Sequence, residues 1–190
     1  METNLVQHIR KFTTLDDQDV ASLLRFFEPL SLKKKACLLE EGEICRYNYF
    51  VEKGCLRMYY IDDKGTEQTN QFAIENWWLA DYMSFDKQTP SPFYIQAIEK
   101  STVYGLEHSK QNQLFEEFPQ MERYFLLILQ RAYAASQLRM KYMHDFSKEE
   151  IYHHIAARFP EFIQRVPQYM LASYLGFTPE YLSEIRKKTS

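Results

Sequence analysis

Val166-Pro-Gln-Tyr-Met-Leu-Ala-Ser-Tyr-Leu-Gly-Phe-Thr-Pro-Glu-Tyr-Leu-Ser-Glu-Ile-Arg-Lys-Lys188 decides how the fold is read. The stretch spells two short helices and a tight turn. Leu171 and Leu175 share one face of the first helix, because positions four apart lie one turn from each other. Gly176 can take the left-handed conformation that stops a helix. Thr178 is a good N-cap, Pro179 suits the first helical position, and Glu180 faces the positive end of the helix dipole. Leu182 and Ile185 give the second helix an inward face, and small Ala172 lets the pair cross closely. An ordinary helical corner shares some of these features. Ala172, Gly176, the Thr178-Pro179 start, Leu182 and Ile185 together predict a helix-turn-helix, whose second helix enters the DNA major groove.

The rest of the chain is compatible with such a protein. It has 190 residues, 45% apolar and 16% aromatic, enough to bury a substantial core. The first fifteen residues carry His8, Arg10 and Lys11 without a continuous apolar run, so no signal peptide is expected. The apolar block Phe125 to Leu129 is too short to span a bilayer. A cytoplasmic protein without a membrane partner is the expectation. Cys37, Cys45 and Cys55 are odd in number and lack CxxC spacing, which argues against a disulfide framework or an iron–sulfur cluster.

Net charge is −3, unlike a nonspecific nucleic-acid binder. Its distribution is uneven. Residues 1–138 hold 15 Lys/Arg against 20 Asp/Glu, and residues 139–190 hold 8 against 6. The small positive excess lies with the helix-turn-helix, so backbone attraction should be modest and salt-sensitive.

Residues 3–12 predict a short helix with Leu5, Ile9 and Phe12 on one side. Thr14 should cap a second, with Val20, Leu23, Leu24 and Phe27 as its stripe and Pro29 as its end. From Leu30 to His108 the segments are short, β-branched or aromatic, and broken by turn signals. The expected strands are Lys35–Leu39, Tyr47–Glu52, Cys55–Ile61, Glu67–Ala73, Trp78–Tyr82, Phe93–Ile98 and Ser101–Leu106, with a hairpin turn at Asp62-Asp63-Lys64-Gly65. They predict a jelly roll or barrel. Its interior is expected to be lined by Tyr49, Phe72, Trp77, Trp78, Phe85 and Tyr94.

Ser109 should cap a short helix that stops before Pro119. A long helix from about Gln120 to His144 would extend roughly 37 Å. Met121, Tyr124, Ile128, Ala135, Leu138 and Tyr142 fall near a heptad seam, and small Ala132, Ala134 and Ala135 would admit a twin helix. The expected dimer interface is Tyr124, Ile128, Ala135, Leu138 and Tyr142. Ser147-Lys-Glu-Glu150 reads as a capping box, so the domain boundary falls near 145–147.

The fold class is therefore α+β: a sensor-like barrel with flanking helices over 1–119, a dimerisation helix over 120–146, and a helix-turn-helix domain over 147–190. That order, and the residues Glu41-Gly42-Glu43, Tyr49-Phe-Val-Glu-Lys-Gly-Cys-Leu-Arg57 and Leu171 to Ser183, resemble the Crp/Fnr family of bacterial transcription regulators. The segment from Pro160 to Ser183 is similar to a compact subgroup common in Bacteroidetes-type bacteria. In the wider family a β-hairpin wing follows the recognition helix. This sequence ends at Ser190, and the expected domain lacks it.

The resemblance implies a homodimer on an inverted-repeat operator in double-stranded DNA, with RNA polymerase as a further partner. It implies that Thr178 bonds a phosphate and that Glu180 accepts from a cytosine amino group, with Tyr181 and Ser183 nearby. Arg186, Lys187 and Lys188 would contact phosphates or form a solvated helix end. At Glu184 the family usually has an arginine that reads guanine. A carboxylate cannot donate there and repels phosphate, so either another base is read or DNA binding is weakened. The latter would make the chain a regulator-derived dimeric binding protein.

Family members that bind cyclic AMP carry a glycine–glutamate pair and, some ten residues on, an arginine for the cyclic phosphate. The matching stretch here gives Asp81, Ser91 and Tyr94, a degenerate effector pocket without its cation. Cyclic AMP binding is not expected, and the identity of any other small-molecule effector stays open. No phosphate-cradling loop, HExxH or GxSxG pattern occurs, so neither an enzyme, a metal nor a cofactor is expected. A cupin-like enzyme would need two or three histidines on neighbouring strands, and the barrel stretch offers His108.

Overall fold

The computed structural model describes residues 2–189. Helix α1 (Asn4–Arg10), a 3-10 turn (Asp17–Asp19) and α2 (Val20–Leu24) precede six strands: β1 (Phe27–Leu32), β2 (Cys37–Leu39), β3 (Tyr47–Lys53), β4 (Leu56–Ile61), β5 (Glu67–Ala73) and β6 (Trp78–Leu79). After α3 (Tyr82–Lys87) come β7 (Tyr94–Ala97) and β8 (Ser101–Glu107). The chain then turns helical with α4 (His108–Glu117), α5 (Gln120–Asp145), α6 (Lys148–Arg158), α7 (Pro160–Arg165), α8 (Gln168–Leu175) and α9 (Pro179–Thr189). The strands form two antiparallel sheets, ordered β1-β8-β3-β6 and β2-β7-β4-β5.

Strand alternation divides the apolar residues among three cores. Between the sheets lie Leu39, Val51, Leu56, Leu79, Ile95 and Val103, joined by Tyr49 and Phe85. On the outer face of the first sheet, Phe50 and Trp78 pack under α1, α4 and the start of α5. On the outer face of the second, Phe72 meets α6 to α9 through Phe162, Leu171 and Leu175. The interior is therefore not the six-aromatic lining that the sequence predicts. Phe72 and Trp78 point outward, Trp77 is partly exposed, and Tyr94 stacks outside on Tyr59 at 4.9 Å. Aliphatic side chains fill the space.

Three further expectations change. Phe27 and Pro29 belong to β1 rather than to the second helix, and Pro29 is tolerated because β1 is an edge strand. Neither Thr14 nor Ser109 caps: Asp16 precedes the 3-10 turn, and Ser109 lies inside α4. Strand β6 stops at Leu79, and Tyr82 starts a helix that Asp81 caps through Met83 N and Ser84 N. The capping box at Ser147 and Glu150 forms in full. No helix among the described residues is long and apolar enough to cross a membrane.

Candidate nucleic-acid interface and effector site

Helices α8 and α9 meet as the sequence predicts. Gly176 takes φ 71°, and Phe177 N donates to Ala172 O at 2.8 Å, closing the end of α8. Thr178 Oγ1 accepts from Tyr181 N at 3.3 Å, which leaves its O–H able to donate outward. Leu182 and Ile185 are buried against Leu171, Ala172 and Leu175. Thr178, Glu180, Glu184, Lys187 and Lys188 are exposed, while Tyr181, Ser183 and Arg186 are half-buried.

Glu180, Glu184 and Lys187 share one outward face at helical spacing. Lys188 is turned aside. Its Nζ meets Glu149 Oε1 of α6 at 3.0 Å, a bond that raises its pKa. Tyr181 is braced against Phe177, and Lys148 Nζ lies 5.5 Å from its ring centroid. Lys148 is thus a cation beside α9 that sequence reasoning missed, because about thirty residues separate the two in the chain.

Sequence reasoning also missed what seats this unit on the sandwich. Ser173 Oγ donates to Glu67 O at 3.0 Å and accepts from Thr69 N at 2.8 Å, on the edge of β5. Arg139 of α5 donates to Asn70 O and Tyr174 O at 2.7 and 2.9 Å. Arg165 forks onto Glu75 at 2.9 Å and reaches Glu99 at 2.5 Å. Burial opposes ionisation of Glu75, but its bonds from Arg165 and Gly54 N outweigh this and hold its pKa below the usual range. Phe72, Trp77, Phe159 and Phe162 enclose a cavity of about 70 Å³ at this junction. That is less than half of the roughly 150 Å³ that holds a benzene ring.

The structure brings together two of the three expected effector-site residues. Ser91 Oγ donates to Asp81 Oδ2 at 2.7 Å, and both residues are buried. Asp81 Oδ1 accepts from Met83 N and Ser84 N at 3.1 and 3.3 Å. Ser84 Oγ in turn accepts from Cys45 N and donates to Thr89 O. The carboxylate is thus spent on its own chain. Tyr94 is not part of this cluster and reaches Glu41 at 3.3 Å. Among the described residues no three His, Cys, Asp or Glu side chains gather to hold a metal ion.

Residues 29–118 match the family model for the cyclic nucleotide-binding domain. Over 184 residues the chain is 25% identical to the transcriptional activator protein anr of Pseudomonas aeruginosa, covering 90% of this chain and 74% of that one. It is 22% identical over 186 residues to the anaerobic regulatory protein of Haemophilus influenzae, covering 90% and 71%. The chain is thus similar to Crp/Fnr-type transcriptional regulators over most of its length. These relatives are regulators, not enzymes. The fold is that of the c-di-GMP-responsive global regulator CLP of Xanthomonas campestris, with a TM-score of 0.71 at 15% identity over 92% of this chain and 91% of that one.

The expected dimer seam needs correction at Tyr124, Ile128 and Tyr142. Tyr124 is fully buried in its own chain, where Trp78 Nε1 donates to its hydroxyl at 2.8 Å. Ile128 packs on the same core, and Tyr142 stacks on Phe146 at 4.9 Å. Those three side chains already serve the chain's own packing. Leu138 and Ala135 are exposed but flank no apolar stripe. Leu126, Leu129, Tyr133, Met140 and Met143 form one instead, all exposed, on another side of α5 at successive spacings of three, four, seven and three.

Proposed function

We propose that this Crp/Fnr-type regulator binds an inverted repeat in duplex DNA as a homodimer, through residues 178–188, and does not take cyclic AMP. The observation that carries the reading is α9, seated on α8 by Leu182 and Ile185 with Glu180, Glu184 and Lys187 turned outward. A helix presented this way fits a major groove. Thr178 would donate to a phosphate, and Glu180 would accept from a cytosine amino group. Tyr181, Ser183 and Glu184 border the groove, with Arg186 and Lys187 towards the backbone.

Dimerisation would run along Leu126, Leu129, Tyr133, Met140 and Met143, which lack cover in the single chain. Paired recognition helices would then enter grooves about 34 Å apart. The Asp81–Ser91 bond supports the exclusion of cyclic AMP. A phosphate there would meet a carboxylate instead of a guanidinium, at full desolvation cost.

Selection of random duplexes with purified protein at moderate salt should enrich one inverted repeat, and Glu180→Ala should relax preference at one position of each half-site. Failure to enrich any repeat would favour the second reading, a regulator whose DNA binding has weakened. Glu180 and Glu184, two carboxylates on the outward face, support that alternative. Calorimetric titration with cyclic AMP should give no heat of saturable binding. A micromolar dissociation constant would mean that Asp81 and Ser91 separate and admit the nucleotide.

A further inference from the structure

The effector space expected inside the sandwich is already filled. Aliphatic side chains occupy it, and Ser91 Oγ donates to Asp81 Oδ2 at 2.7 Å. A different space, of about 70 Å³, lies where the sandwich meets the helix-turn-helix unit. Phe72, Ile74 and Trp77 wall it from the sandwich, and Ile155, Phe159, Phe162 and Tyr174 wall it from the other side. The rings meet edge-on around it. Phe72 lies 5.2 Å from Phe162 and 5.3 Å from Tyr174, and Trp77 lies 6.1 Å from Phe159. Trp77 is 43% exposed, so the space opens to solvent past its indole.

Polar bonds on both flanks hold these walls apart. Glu75, next to Ile74, accepts from Arg165 at 2.9 Å through both carboxylate oxygens. Ser173, next to Tyr174, is bonded to Glu67 O and Thr69 N of β5. Arg139 spans Asn70 O and Tyr174 O. Directional bonds fix the spacing of the two units, so the apolar side chains between them cannot close up without breaking one. Water is a poor occupant. It needs about two to four polar partners, and of the lining side chains Trp77 and Tyr174 alone carry a polar atom.

We propose that this junction cavity binds a small, uncharged apolar molecule, which seats the helix-turn-helix unit more firmly on the sandwich. Scaled from the roughly 150 Å³ that holds benzene, the cavity takes on the order of three non-hydrogen atoms. That size fits a dissolved gas or a very short hydrocarbon. Its contacts come from both units at once, so it binds the docked arrangement and not a separated one. Mass action then favours docking as occupancy rises. The inference goes beyond the DNA-binding reading of α9 and does not depend on it.

The test uses the full chain and xenon, a probe that enters apolar cavities. Backbone amide shifts on xenon titration should saturate and centre on Phe72, Phe159, Phe162 and Tyr174. The Thr69 N–H donates across the junction to Ser173 Oγ at 2.8 Å, so its hydrogen exchange reports undocking. Free xenon at about four times its dissociation constant should slow that exchange about fivefold. Phe159→Ala, which truncates a half-buried ring, should enlarge the cavity enough to take benzene, which the wild type refuses. Ile155→Phe, which fills part of the space, should abolish the saturable xenon shifts. Shifts that never saturate, shifts centred inside the sandwich, or saturation with unchanged Thr69 exchange would each overturn the proposal. So would xenon binding that survives Ile155→Phe, or a folded Phe159→Ala that refuses benzene. None of these readouts involves DNA, so their failure leaves the α9 reading standing, and a chain that binds no duplex leaves this site standing.

Discussion

The two halves of α5 have similar apolar content and opposite surroundings. In the first half, Met121, Tyr124 and Phe125 are buried against the sandwich and α1. In the second half, Tyr133, Leu138, Met140 and Met143 are exposed, and Arg139 reaches the helix-turn-helix unit by a hydrogen bond to Tyr174 O. A helix buries what a neighbour covers. The first half buries one face in its own chain, and the exposed stripe that begins at Leu126 and Leu129 runs on into the second half, where a single copy does not cover it.

The largest test removes the first half's anchor. Tyr124→Ala should lower unfolding free energy by about 3–5 kcal/mol in urea denaturation, as for other aromatic truncations in a core. A loss below about 1 kcal/mol would show that this half does not hold α5. Next, Leu129→Glu with Tyr133→Glu should convert the proposed dimer to monomer in sedimentation. The cost is several kcal/mol if the carboxylates would be buried in the seam. A persistent dimer would put the interface elsewhere.

A third test concerns the polar core under the first half. Trp78 N–H donates to the Tyr124 hydroxyl, which shares a 2.8 Å hydrogen bond with His8 Nδ1. Burial, then Lys11 and Arg131, lower the His8 pKa from 6.5 to about 4. The folded chain thus binds fewer protons than the unfolded one between these values. Its contribution is complete above pH 6.5 and falls away as pH drops towards 4. Tyr124→Phe should cost about 1–3 kcal/mol at neutral pH by stranding the Trp78 donor. His8→Leu should flatten the loss of stability between pH 6.5 and 4, and an unchanged slope would assign it to other groups. The smallest effect belongs to Leu138→Glu. This residue lies off both the buried face and the exposed stripe, so stability should shift by no more than about 0.5 kcal/mol and the oligomeric state should stay.

Local chemistry made the C-terminal end legible. Gly176, Thr178 and the Ser147–Glu150 box act within one helical turn, so a short window of sequence contains both partners. The strands were legible where alternation and turn signals agreed, as in β5, which matches its expected bounds. Errors fell where a residue's meaning depended on distant neighbours. Pro29 reads as a helix stop until β1 is known to lie at a sheet edge. Asp81 is a good N-cap, but in sequence it falls inside Trp78 to Tyr82, which is aromatic and apolar enough to pass for a strand.

The site residues divide the same way. The sequence by itself determined that two helices meet at Gly176, that Glu180, Glu184 and Lys187 share a face, and that no arginine stands beside Ser91. Helical period and residue charge are properties of neighbours in the chain. Only the tertiary structure decided that Tyr124 faces its own core, that Ser91 bonds Asp81, and that Phe72 and Phe159 wall one cavity. Each of those depends on which faces the sheets bury and which strands pair. Burial and pairing are set by the whole chain competing to cover its apolar surface, not by any one stretch of it.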